Sequence, residues 1–177
     1  MTKQRLSRES YRVGWISPLE VEQIAALQML DEEHECLPQS GGDINIYHLG
    51  SISGHNVVIA GLPFPGNCPA AAVITQMRMT YPNLKFRLLV GIGGGVPRKT
   101  DAGMLRLGHV VVSKPTGTHS GTVQYDHGKA RMGHFEQTGF LAPPPTALLN
   151  IMRDIAIQRQ LVDHDPIQEN LKRINTS

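Results

Sequence analysis

The segment from Asn56 to Gly95 constrains the fold of this chain more than any other part of its sequence. Asn56–Leu62 is a short apolar run typical of a buried strand, and after interrupting prolines a helix is expected to open at Pro69. Phe86–Val90 is a second apolar run of this kind, and it leads directly into the glycines at 91–95. Strand, helix and strand in this order predict a βαβ-like unit in a largely parallel sheet. The buried face of the helix is expected to carry Ala72, Val73, Met77 and Met79.

A strand that runs directly into a helix is predicted near the N-terminus. Arg12–Ser17 has the composition of a strand, and Ser17, Pro18 and Glu20 form a helix-start signature behind it. Ser17 can cap the helix, Pro18 suits its first position, and Glu20 can close a capping box. The helix is expected to reach Leu30, with a buried stripe formed by Val21, Ile24, Ala25 and Leu27.

Further elements extend this α/β pattern. The alternation over Ile44–Leu49 and the turn over Gly50–Gly54 predict a hairpin that feeds the apolar strand after it. Gly108–Ser113 and Thr122–Tyr125 are also predicted as strands. The prolines at 143–145 lead a predicted helix whose apolar residues recur at helical spacing: Leu148, Leu149, Met152, Ile155 and Ala156.

Charge and composition narrow the classes of function. The 17 Lys and Arg residues against 15 Asp and Glu give a net charge of +2 without a basic cluster, so nucleic acid is not expected as a partner. No apolar run approaches the ~18 residues of a membrane span, and the N-terminus lacks a signal core. A cytoplasmic protein without a membrane partner is expected. Cys36 and Cys68 form no CxxC motif and are expected as buried thiols.

Two loops are candidates for ligand binding. Gly91–Pro97 follows a predicted central strand, where open α/β sheets place their ligands. It matches neither the dinucleotide fingerprint nor the P-loop, because it lacks the third glycine and the GK[ST] ending. It is either a loop whose backbone N–H groups approach a small ligand or a tight turn with close packing. The segment 65–69 precedes a helix and either binds an anion or sugar hydroxyl or serves only as a cap.

Six motifs in order carry a resemblance to a known family: VGWIS, HNVVIAGLPFPGNCPAAAV, LLVGIGGGVP, RLGHVVVS, VQYDHGK and TGFLAPPPTALL. The chain resembles the nucleoside phosphorylase and nucleosidase superfamily over Tyr11 to Leu161. It is most similar to the fungal branch found as an N-terminal module before NACHT, NB-ARC or ankyrin-repeat regions. The resemblance implies an α/β fold with a mixed, largely parallel and partly closed sheet flanked by helices. It also implies cleavage of the N-glycosidic bond of a purine nucleoside or nucleotide, with no cofactor or metal.

The resemblance assigns the candidate site. Hydrolytic members position the attacking water with a Glu in the first helix, a place that Glu22 holds here, although it is also explained as a solvated charge. Phosphate-using members carry an Arg and a Ser beside the glycine loop, where this chain has Leu89 and Ile92. Since an apolar pair cannot compensate a phosphate dianion, water is favoured as the nucleophile. The residues expected to shape the substrate pocket are Gly66, Asn67, Gly91, Ile92, Gly93 and Gly94, with Tyr125 and Asp126. The last two are also explained as a strand end and a turn.

The same resemblance implies that this stretch is the N-terminal part of a domain. In the family, the Glu that binds the ribose hydroxyls and the Asp that protonates the leaving purine lie beyond the proline-led helix, and neither has a match here. We therefore expect a polar segment over 1–10, an incomplete domain over 11–161, a polar segment over 162–177, and little activity from this chain alone. Gly108-His109 also departs from the family's Gly-Asp.

Two other functions stay open at this point. One is a phosphate-dependent phosphorylase, and the other is a non-catalytic module that binds a nucleoside or another protein. Among protein partners, a second copy of this chain in a homo-oligomer stays open. The spacing of His119, His127 and His134 matches no known metal site, so all eight histidines of the chain are expected to be scattered over the surface. Phe135 and Phe140 have the chemistry to stack on a base, but core packing is expected for both.

Overall fold

Strand β1 (Val13–Ser17) has a parallel neighbour on each side within a five-stranded sheet. These neighbours are β4 (His55–Gly61) and β5 (Phe86–Leu89). The sheet continues beyond β4 through β3 (His48–Ile52) and β2 (Glu32–Glu33), both joined by antiparallel pairing. The strand order is β2-β3-β4-β1-β5, and the predicted mixed α/β architecture is confirmed.

The computed structural model describes residues 3–100, 103–161, 167 and 170–172. The chain divides into a first unit, Met1–Gly94, and a second unit, Gly95–Ser177. The whole five-stranded sheet belongs to the first unit. The boundaries expected from the sequence at 11–161 stay a prediction, and most of the segment 162–177 lies outside the described residues.

Two helices pack against this sheet through different sets of strand residues. Helix α1 (Glu20–Gln28) contributes the buried Ala26, and α2 (Asn67–Thr80) contributes the buried Val73 and Met77. Alternate residues of a strand point to opposite faces, so neighbouring positions in β1 and β4 join different clusters. The cluster with Ala26 contains Val57 and Ile59, and the cluster with Met77 contains Ile16, Val58 and Ala60. The predicted strand–helix–strand unit is confirmed, with β1 lying between its two strands.

Aromatic side chains close the end of the core beside α2. Tyr11 packs edge-on against Tyr81, which packs edge-on against Tyr47. Tyr11 also shares a hydrogen bond of 3.1 Å with Nδ1 of the buried His34. Burial raises the pKa of Tyr11 to about 12 and also raises the pKa of Tyr81. The expectation of surface histidines is therefore wrong for His34, because its ring fills this polar corner of the core.

Several predicted features of the first unit are corrected by the structure. The buried stripe predicted for α1 is wrong at Val21, Ile24 and Ala25, which are exposed, and only Leu27 of that stripe packs, half-buried, against the cluster on the sheet. On α2, Ala72 and Met79 are likewise exposed, and Leu89 of β5, the outer strand of the described sheet, is 67% exposed. Both thiols, Cys36 and Cys68, are exposed rather than buried.

The second unit contains two short hairpins and one helix among its described residues. The hairpins pair β6 (Lys99–Thr100) with β7 (Gly103–Met104) and β8 (Gly128–Arg131) with β9 (His134–Gln137). Helix α3 (Thr146–Leu161) confirms the helix predicted after the three prolines.

The strands predicted at 108–113 and 122–125 are wrong, because neither segment is a strand in the structure. Val110, Val111 and Val112 are exposed, so their β-branched side chains have no sheet surface to pack on. The core packing expected for Phe135 and Phe140 is also wrong, since their side chains are 51% and 92% exposed. Across the described part of the chain, no helix combines the length and the apolar character needed to cross a membrane.

Candidate functional site

The carboxyl ends of β4, β1 and β5 lie at one edge of the sheet. The N–H of Leu62 donates to the Ser17 carbonyl at 3.1 Å, and the N–H of Val90 donates to the Ile16 carbonyl at 3.0 Å. Each strand then leads into a different segment: β4 into α2, β1 into α1, and β5 into the glycine loop. Ligand sites of α/β sheets lie at this kind of edge, because loops and helix N-termini converge there.

The Glu22 carboxylate lies at this edge of the sheet and accepts hydrogen bonds from two backbone N–H groups. Its Oε2 accepts a hydrogen bond from the N–H of Leu19 at 2.7 Å, and its Oε1 accepts one from the N–H of Ile92 at 2.6 Å. Glu22 is only 8% exposed. The structure therefore joins the first turn of α1 to the glycine loop through a buried acidic side chain.

The start of α1 differs from the predicted capping arrangement. Ser17 is the last residue of β1, and the backbone is still extended at Leu19, with φ −118° and ψ 153°. Because the helix begins two residues later than predicted, the acidic residue that reaches back to the N-cap N–H is Glu22. The capping roles assigned to Ser17 and Glu20 are wrong. The Ser17 hydroxyl is fully buried and has no hydrogen-bond partner among the described residues.

The glycine loop meets Glu22 only at its first two residues. A side chain at position 91 would place its Cβ 2.6 Å from Glu22 Oε1 and 2.9 Å from Glu22 Cδ, which is closer than real Cβ contacts. Gly93 and Gly94 have open space where a Cβ would stand. All four predicted pocket residues in this loop are exposed, and the structure brings Gly91 and Ile92, but not Gly93 and Gly94, to Glu22.

Gly66 and Asn67 lie at the same edge of the sheet, at the start of α2. Gly66 is the N-cap and has φ 146°, a backbone conformation that favours glycine. Asn67 is the first residue of the helix, and the first turn contains no acidic side chain. This helix start keeps the character of an anion-binding terminus, but the role of both residues in a substrate pocket stays a prediction.

A groove beside this edge of the sheet was not predicted from the sequence. It encloses about 800 Å³, and Glu20, Gln23, His48 and Phe64 are among its lining residues. That volume lies within the ~300–1,000 Å³ range of small-molecule sites. Phe64 is 63% exposed within the proline-rich loop after β4. An aromatic residue between two prolines was the available signal, because the prolines end the strand and leave the aromatic side chain in the loop that follows.

Tyr125 and Asp126 belong to the second unit and are exposed. Their part in a substrate site stays a prediction. The second unit has a cavity of its own, of about 420 Å³, whose lining includes His119, His127 and Gln137. Within the described residues, no group of three or more His, Cys, Asp and Glu side chains is arranged to hold a metal ion.

Comparison with known proteins gives one close relative in sequence and two similarities in structure. No protein-family model matches the chain. The chain is 46% identical over 157 residues to a nucleotide-binding leucine-rich repeat (NLR)-like protein of Hyaloscypha variabilis. The alignment covers 88% of this chain but only 16% of the length of that protein. The predicted resemblance to a fungal NLR-like protein is thereby confirmed.

The two similar structures are both nucleosidases. The MTA/SAH nucleosidase of Streptococcus pneumoniae, solved with 8-aminoadenine, is 23% identical, with a TM-score of 0.34 over 45% of this chain and 32% of that one. The futalosine hydrolase of Helicobacter pylori is 22% identical, with a TM-score of 0.36 over 50% of this chain and 36% of that one. Because these similarities cover at most half of this chain, any assignment of chemistry rests on the residues of this chain.

Proposed function

We propose that the first unit provides the water-activating part of an N-ribosyl hydrolase site for a purine nucleoside or nucleotide. The observation that carries the proposal is the buried Glu22 carboxylate, fixed by two N–H groups where three parallel strands end. Each carboxylate oxygen has two acceptor sites, and the structure occupies one on each. Both oxygens thus keep the capacity to accept a hydrogen bond from a water molecule.

The proposed reaction uses Glu22 as the general base. The water oxygen forms a bond to the anomeric carbon as the C–N glycosidic bond breaks, and the electrons of that bond leave with the purine. The water passes a proton to Glu22, and the departing base takes up a proton from the solvent. A carboxylate at this place also stabilises the positive charge that develops on the sugar in an oxocarbenium-like transition state. Leu89 and Ile92 offer a phosphate nucleophile no cationic side chain, which supports water over phosphate.

The test is release of free base by the purified chain. Adenosine, inosine, methylthioadenosine and ATP are incubated with it, and free base is measured by chromatography. We expect slow release that is lost in Glu22→Gln and kept in Glu32→Gln, since Glu32 is an exposed carboxylate of β2 that does not line the groove. Equal release by the Glu22→Gln protein would refute the proposal. Strict dependence on added phosphate would instead establish a phosphorylase.

A non-catalytic module is the second candidate function. It is favoured by the 46% identity to a stretch that makes up 16% of an NLR-like protein. A module of this kind would act through protein contacts or weak nucleoside binding. Calorimetry that shows no heat with any of the four compounds, together with a defined oligomer by light scattering, would establish it against both enzyme candidates.

A further inference from the structure

We propose that strand β5 docks an extended acidic peptide, which adds to the five-stranded sheet as a further strand. The peptide belongs to a protein partner and alternates acidic with apolar residues. It pairs with the side of β5 that faces away from β1, which is called the open side of β5 below. The proposal is independent of the hydrolase proposal, because it uses neither Glu22 nor the glycine loop.

The open side of β5 carries backbone groups that can pair with another strand. In the strand order β2-β3-β4-β1-β5, only β1 pairs with β5 among the described residues. The N–H of Val90 donates to the Ile16 carbonyl on the β1 side at 3.0 Å. Since the backbone groups of successive strand residues alternate in direction, the N–H and C=O groups of Arg87 and Leu89 point to the open side. An outer strand of this kind accepts a further strand through main-chain hydrogen bonds.

Three cationic residues cluster where β1 and β5 begin. The N–H of Lys85 donates to the Arg12 carbonyl at 2.8 Å, so these two residues are neighbours although they are far apart in the chain. Arg87 follows two residues after Lys85, and all three residues are exposed. Within the part of the chain that the structure describes, none of the three forms an ion pair. Their charges are therefore available to acidic side chains of an incoming strand.

The two faces of β5 differ in chemistry. A Cβ at Gly14, which pairs with Arg87, would lie 2.7 Å from Met77 Sδ and 3.6 Å from Arg87 Cγ, so Arg87 lies on the face covered by α2. Phe86 and Leu88 lie on the opposite face by strand alternation and are half-buried. A strand added to β5 thus meets cationic charge on one face and apolar side chains on the other. Alternating acidic and apolar residues complement both faces.

A second copy of β5 is a poorer occupant of this edge. In an antiparallel pair of identical strands, Lys85 and Arg87 of one copy would lie opposite the same cations of the other copy. Like charges directly opposite each other destabilise a strand pair, and charged residues on outer strands hinder self-association in this way. An acidic strand turns the same charges into attraction. Charge complementarity therefore favours an acidic partner over a second copy.

The test measures binding of synthetic peptides to the purified chain by fluorescence polarisation. The probe is a labelled peptide of about eight residues in which valine and glutamate alternate, a length typical of a strand. We expect saturable binding. A peptide with lysine in place of glutamate should bind at least about tenfold more weakly, because its charges are repelled. A peptide with proline in place of valine keeps the acidic charge but cannot form the ladder, and it should bind equally weakly.

Charge reversal in the protein provides the matched experiment. The double variant Lys85→Glu with Arg87→Glu should reverse the preference and bind the lysine peptide more tightly than the glutamate peptide. Lys3→Glu makes the same kind of charge change beside β2, at the other end of the sheet. It should leave the affinity for the glutamate peptide unchanged. If the double variant does not fold, the three peptides still decide the question with the unaltered protein.

Hydrogen exchange distinguishes strand addition from a contact through charge alone. We expect the glutamate peptide to slow exchange of the Arg87 and Leu89 amides, whose N–H groups point to the open side. Binding that leaves both amides unchanged would overturn the proposal, as would equal binding of the lysine or proline peptide. Absence of binding would overturn it as well. A dimer detected by light scattering that protects these two amides without peptide would instead assign the edge to a second copy.

Discussion

The two units of this chain differ in how far their apolar side chains are buried. Every buried apolar residue in the described part of the chain belongs to the first unit, from Tyr11 to Leu84. In the second unit, every residue whose burial the structure describes is either exposed or half-buried. The difference does not come from a lack of apolar residues in the second unit, which carries a run of three valines at 110–112.

Two runs of three β-branched residues make the contrast clearest. Val57, Val58 and Ile59 are at most 2% exposed in β4, which lies between β1 and β3. Val110, Val111 and Val112 are 66%, 78% and 54% exposed and belong to no strand. Their strand propensity is equivalent, so the outcome depends on whether neighbouring strands are present to pair with. A local sequence preference becomes a strand only where tertiary partners complete the sheet.

The largest expected effect tests this contrast directly. Ile59→Ala should lower the free energy of unfolding by about 3 kcal/mol, because it leaves a cavity under α1. Val111→Ala should change it by less than about 0.5 kcal/mol, as for most exposed positions. Urea unfolding followed by circular dichroism measures both variants. A cost above about 2 kcal/mol for Val111→Ala would mean that the valine run is packed in solution, and the contrast would fail.

An intermediate effect is expected within the glycine loop. Gly91→Ala should destabilise by about 1–2 kcal/mol, because its Cβ forces the Glu22 carboxylate away from the Ile92 N–H. Gly93→Ala, two residues along the same loop, meets open space and should cost less than about 0.5 kcal/mol. Thermal unfolding of both variants measures the difference. Equal costs would show that the loop does not contact Glu22 in solution.

The smallest effect is expected at the surface of the second unit. Arg131 and Glu136 form an ion pair of 2.5 Å across the β8–β9 hairpin, with side chains 54% and 46% exposed. A double-mutant cycle with Arg131→Ala and Glu136→Ala should give a coupling below about 0.5 kcal/mol, as for other exposed pairs. Lys3 and Glu33 form a comparably exposed pair in the first unit and provide the control. A coupling above about 1 kcal/mol in the hairpin alone would indicate a more rigid second unit.

Local sequence patterns were sufficient to predict the extents of four helices and strands. The extents of β1, α2, β5 and α3 match their predictions closely, because periodicity and proline or glycine punctuation mark their ends. The position of helix α1 in the sequence was predicted correctly, but its buried face was not. The buried residues of the helix are Glu22 and Ala26, whereas the predicted Val21 and Ile24 are exposed. The apolar stripe was misleading because a buried charge with two hydrogen-bond donors can occupy a core-facing position.

The site was predicted in part. Placing Glu22 near the glycine loop followed from the family resemblance together with the rule that parallel strand ends share one edge. The roles of all the predicted site residues stay predictions, and these residues are Glu22, Gly66, Asn67, Gly91, Ile92, Gly93, Gly94, Tyr125 and Asp126. Residues lining the groove beside α1, such as Phe64 and His48, were missed because they come from separate segments and share no spacing rule.

The sequence by itself determined the strand–helix–strand order, the acidic residue in the first turn of α1 and the glycine loop at the end of β5. Each of these features is written in neighbouring residues, through periodicity, caps and turns. Only the tertiary structure decided that Glu22, rather than Glu20, completes the helix start and that its second oxygen meets the Ile92 N–H. Glu22 and Ile92 are separated by 70 positions in the chain. A contact over that distance depends on sheet pairing that no local pattern encodes.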